Sequence, residues 1–101
     1  MQTNTSVKDG QALVTLSGRF DFNAHRDFRS AYEPLMENAQ ANSITIDLRN
    51  VEYLDSSALG MLLMLRDKSA TAKKDLTLAN AQAGVKQVLD IANFGKLFKI
   101  V

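Results

Sequence analysis

The chain has 101 residues, with 12 Lys and Arg against 11 Asp and Glu and a formal net charge of +1. Apolar residues make up 46% and charged residues 23%, so a single globular domain over residues 1–101 is expected and a second is not. The absence of cysteine excludes disulfides and thiolate metal sites, and the balanced charge argues against a protein built to cover nucleic acid.

The first signal along the chain is Val7-Lys8-Asp9-Gly10-Gln11-Ala12-Leu13-Val14-Thr15-Leu16. Asp-Gly suits a type I′ hairpin turn, which needs positive φ at both central residues. In the second arm Ala12, Val14 and Leu16 share one face, so that arm is buried on at least one side. Gly18 is expected to release the strand, with Asp21 and Asn23 supplying helix-start chemistry. Ala24, Phe28, Ala31, Tyr32, Leu35, Met36 and Ala39 then form the stripe of an amphipathic helix, which Pro34 should bend or divide.

Ile44-Thr45-Ile46-Asp47-Leu48 is β-branched and alternating, and predicts a strand. A second helix is expected from Asp55 or Ser56 to about Lys73, then a strand over Leu76–Ala79. A third helix over Ala83–Ala92, closed by Gly95, precedes a last strand over Leu97–Val101. Strands separated by single helices need crossovers. The order therefore predicts an α/β fold, a mixed and mostly parallel sheet of about five strands with three or more helices packed on it. Ligands and partners on such sheets meet the loops at the carboxyl ends of strands, here Gly18 to Asn23 and Asn50 to Ser57.

Leu48-Arg49-Asn50-Val51-Glu52-Tyr53-Leu54-Asp55-Ser56-Ser57-Ala58-Leu59-Gly60 is the most specific stretch. It resembles the STAS family, the domain of sulphate transporters and bacterial anti-sigma-factor antagonists, in which Asp-Ser-Ser/Thr-Gly-Leu-Gly opens a helix after a strand and a short link. Gly18-Arg19-Phe20-Asp21 is similar to the family's Gly-x-Leu-Asp, and Val85 to Ala92 followed by Leu97-Phe98 to its final helix and strand. Two departures are Ala58 where the family has Gly, and an end at Val101 without the helix many members add.

The resemblance implies a partner-switching protein. It places phosphorylation at Ser56, by a serine kinase of the histidine-kinase-like ATPase type that is also an anti-sigma factor. The unmodified form would bind that kinase and release its client, the phosphorylated form would let go, and a metal-dependent serine phosphatase would restore binding. The partner-binding surface would comprise Asp21, Asp55, Ser56, Ser57, Gly60 and Met61. Another use of the same fold is a docking subunit of a lipid-transport ATPase or of a stress-signalling assembly, without a phospho-switch.

Elementary chemistry is compatible with the switch. Ser56 falls at or next to the start of the second helix, where a phosphate adds about −1.5 to −2 charges that a helix N-terminus tolerates. Within Leu59 to Leu65, the expectation is that Leu59, Leu62 and Leu63 pack inward and that Met61 or Met64 is partly available to a partner. Catalysis is not expected: Leu54-Asp55-Ser56-Ser57-Ala58 lacks the Gly-x-Ser-x-Gly frame, and the sole imidazole, His25, belongs to an exposed helix start. One His and no Cys leave no expected metal site or cofactor. The longest strongly apolar run, Ala58 to Leu65, is too short to insert in a membrane, and Met1 to Ser6 carries no secretory signal, so a cytoplasmic protein is expected.

Overall fold

Strands β1 (Gln2–Lys8) and β2 (Gln11–Phe20) pair antiparallel across Asp9-Gly10 in the computed structural model, which describes residues 1–101. Asp9 has φ of 53° and Gly10 of 81°, the two left-handed positions that the type I′ turn requires. β1 reaches back to Gln2, far beyond the Val7 at which the alternating pattern begins. Its polar residues are all exposed at the sheet edge, so no hydrophobic period marks them.

β3 (Ser43–Leu54), β4 (Asp75–Ala79) and β5 (Lys99–Ile100) complete a sheet of order β1-β2-β3-β4-β5, parallel except for its first pair. The connections are α1 (His25–Met36), α2 (Ser56–Thr71) and α3 (Ala83–Ile91). The strands from β2 to β5 step in one direction, and right-handed crossovers then put all three helices on one face. Burial follows that rule: Ala12, Val14, Leu16 and Phe20 of β2 and Ile44, Ile46 and Leu48 of β3 are buried, whereas Gln11, Leu13 and Arg19 are exposed. Phe20, Phe28 and Tyr32 link β2 to α1, with ring centroids 4.9 and 5.2 Å apart.

Several boundaries differ from expectation, each for a physical reason. β2 continues through Gly18 to Phe20, and Gly18 adopts φ of 98° at an irregularity in the β2–β3 pairing. β3 does not stop at Leu48; it runs to Leu54, so the loop expected over Asn50 to Ser57 is mostly strand. The register moves from Thr15 opposite Asp47 to Ser17 opposite Asn50, and again from Gly18 opposite Val51 to Arg19 opposite Tyr53. Each shift inserts an extra residue of β3, which returns Val51 and then Leu54 to the buried face.

Pro34 does not divide α1; it falls in the last turn, and the helix ends two residues later at Met36. The turn after α3 is made by Asn93, with φ of 59°, rather than by Gly95, which lies in a short 3-10 turn over Phe94–Lys96. β5 is shortened to Lys99–Ile100 because that turn occupies the preceding residues, with Phe94 and Phe98 buried against each other at 5.0 Å.

Candidate functional site

The parallel strands β2 and β3 end side by side, and the backbone N–H of Asp55 donates to the carbonyl of Phe20 at 3.4 Å. That bond brings the two segments leaving the strands together, Asp21 onward and Asp55 onward. Asp21 Oδ1 accepts from the N–H of Asn23 at 3.0 Å and starts a 3-10 turn over Phe22–Ala24 that leads into α1 and packs against α2. Its Oδ2 lies 3.6 Å from Nε of Arg19, and the Arg19 guanidinium sits 4.1 Å above the centre of the Tyr53 ring.

Asp55 is the cap of α2. Its backbone is extended (φ −116°, ψ −175°), its Oδ1 accepts from the N–H of Ala58 at 3.1 Å, and its carbonyl accepts from Leu59 at 3.1 Å. Ser56 is therefore the first helical residue, and its exposed hydroxyl is not the group consumed by the cap. Ala58 is completely buried and helical, so the methyl that replaces the family's glycine hydrogen packs into the core and leaves the turn helical. The free N–H groups of this first turn and the positive end of the helix dipole face the Ser56 side.

Asp21, Asp55, Ser56 and Ser57 lie together at this corner, and Gly60 is exposed one turn along α2. A Cβ at Gly60 would meet nothing within 4 Å. Met61 is different: only 6% of it is exposed, and it belongs to the core with Ala58, Leu62 and Leu65. The inward assignment of Leu63 is likewise overturned, since Leu63 is 36% and Met64 51% exposed. The run Leu59 to Leu65 is apolar on more than one face, so composition could not fix which stripe faces the sheet; the buried Ala58, Met61, Leu62, Leu65 and Ser69 define it.

Phe22, 74% exposed beside Asp21, was not singled out by the sequence, although an aromatic directly after a capping Asp at a strand end was the available signal. His25 is exposed at the start of α1. No group of three or more His, Asp or Glu side chains is arranged to hold a metal, and no helix is long and apolar enough to cross a membrane.

A five-stranded mixed sheet with its helices on one face, and an Asp-Ser-Ser segment opening the second of them, define a class. The chain belongs to the STAS domain family: the family described as "Mlab, STAS domain" matches residues 3–101. It is 50% identical over 93 residues to a STAS-domain containing protein of Pseudomonas aeruginosa (strain UCBPP-PA14), covering 91% of this chain and 90% of that one. It is 24% identical over 91 residues to the anti-sigma F factor antagonist of Paenibacillus polymyxa, covering 90% and 78% respectively. The structure of the anti-sigma factor antagonist SpoIIAA in its unphosphorylated form superposes with a TM-score of 0.81 at 17% identity, covering 99% of this chain and 88% of that one. The phosphorylated form of the Bacillus SpoIIAA superposes with a TM-score of 0.74 at 16% identity, covering 99% and 91%. The expected STAS fold is thus the observed one.

Proposed function

We propose that this protein is a non-catalytic, cytoplasmic anti-sigma-factor antagonist whose partner is chosen by phosphorylation of Ser56. The unmodified form binds a serine kinase/anti-sigma factor of the histidine-kinase-like ATPase type and frees its client. The phosphorylated form leaves the kinase, and a metal-dependent serine phosphatase restores it. The observation that carries this reading is the exposed Ser56 hydroxyl at the first position of α2, with the capping bond made by Asp55 instead. The likeness to antagonists, one of which has been solved in a phosphorylated form, supports it.

The physical chemistry is consistent with a switch of affinity rather than of fold. A phosphate at Ser56 adds about −1.5 to −2 charges beside free backbone N–H groups, which accept an anion. In water the modified corner is tolerated. Against a partner, the same dianion and the adjoining Asp21 and Asp55 must be desolvated together, which is costly unless the partner supplies cations.

A second reading, the docking subunit without a phospho-switch, draws on Leu63 and Met64, an exposed apolar surface that needs no phosphate to act. Intact-mass analysis and phosphopeptide mapping of the protein recovered from its own cells separate the two. A phosphorylated pool on Ser56, absent from Ser56→Ala, is expected. Modification mainly on Ser57 would overturn the assignment of the phosphosite to Ser56, and an unphosphorylated chain in stable association with transporter subunits would overturn the switch.

A further inference from the structure

Ser56, Gly60 and Met64 are spaced four residues apart, so they form one line on the outer face of α2, about 12 Å long at 1.5 Å per residue. All three are exposed, and Met64 is 51% so. At the other end of this line, the 3-10 turn packs against α2 and presents Phe22, which is 74% exposed. The hydrogen bond from Asp55 to Phe20 ties the segment that carries Phe22, two residues further on, to the start of α2. Between the apolar ends lies Gly60, where a side chain would meet open space. Nothing inside the molecule requires that glycine in mid-helix, where it is worth less than alanine. The Phe22 ring likewise does little for the core.

We propose that Phe22 and Met64 are the specificity-determining anchors of the kinase-docking surface: they bracket the Ser56 acceptor and select a kinase with apolar pockets on either side of its nucleotide site. This deepens the phospho-switch reading and rests on it. Aromatic anchors in desolvated pockets dominate binding, whereas neighbouring polar contacts mostly exclude water. Met adapts its shape to an apolar surface, and Gly60 lets the partner's backbone approach between the two. A charge placed at Ser56 sits between these anchors, so the kinase cannot keep both pockets filled without also desolvating the phosphate. The arrangement couples selection of the partner to its release.

The test isolates the ATPase kinase on the Ser56→Ala chain, then measures phosphorylation of the wild type and of three single variants. Phe22→Ser should raise KM about 30-fold and Met64→Ser about 10-fold, with kcat within about twofold, as expected for lost anchors. Ile91→Ser is the control: Ile91 is 76% exposed but ends α3, at the opposite end of the sheet from Ser56, and its KM should be unchanged. All three sites are exposed, and circular dichroism and melting temperature should match the wild type. Wild-type KM for Phe22→Ser and Met64→Ser, or a fall in kcat at constant KM, overturns the anchors while Ser56 remains the phosphosite. If no ATPase is recovered, or the recovered one leaves Ser56 unmodified, the anchors and the proposed switch fall together.

Discussion

Asp55 and Ser56 divide two tasks between adjacent residues. The carboxylate satisfies an orphan N–H of α2, a contribution of about 1 kcal/mol for such a cap, and leaves the hydroxyl accessible. A serine cap would have had to break that bond on modification; a serine one position later does not. Gly60 shows the opposite balance, a residue that weakens its own helix. Gly60→Ala should stabilise the fold by up to about 1 kcal/mol, because the new methyl meets no atom within 4 Å. The same variant should bind the kinase at least several-fold more weakly. Urea midpoints and binding titrations on one preparation check both halves, and a gain in stability with unchanged affinity would assign Gly60 no part in docking.

At the scale of the elements, α1 carries a titration that reports on its packing. Burial of Tyr32 against Phe28 pushes its phenol above the usual tyrosine value, an effect partly countered by the charge of Arg29 and reinforced by Glu33. A raised value in the folded state means that this contribution to stability is complete below the ordinary tyrosine pKa and is lost as pH rises through the folded value. Tyr32→Phe should therefore flatten the fall in urea stability above about pH 10. An equal alkaline fall in both proteins would place that sensitivity elsewhere.

The elements also explain what the sequence could reveal. The hairpin, α1 and the start of α2 were legible because Asp9-Gly10, the Phe28-Tyr32-Leu35 stripe and Asp55 act through local chemistry. The far half of β3 was not, because Leu48, Val51 and Leu54 are three residues apart and only the two register shifts against β2 bring them to one face. Those shifts are long-range facts, and they convert an expected loop into the strand that delivers Asp55 beside Phe20. Of the candidate site, Asp21, Asp55, Ser56, Ser57 and Gly60 were readable from motif and capping chemistry. The burial of Met61 and the exposure of Phe22 are not readable in that way, because both depend on the phase of elements against the sheet.

For the whole molecule, the sheet fixes where function can reside. Parallel strands send their carboxyl ends to one edge, and there two capping aspartates, one exposed serine and an exposed aromatic meet. The rest of the chain buries its apolar face beneath three helices. On the proposed reading, a change of charge at Ser56 acts on association without needing to reshape the fold. The measurement that tests this most directly is the titration of Ser56→Ala and Ser56→Asp against the kinase, with circular dichroism of both. Ser56→Ala should bind constitutively. Ser56→Asp should bind about a hundredfold more weakly, a difference of ~2.7 kcal/mol, with the same helical content because an anion suits that helix end. Equal affinities for two folded variants would contradict the switch.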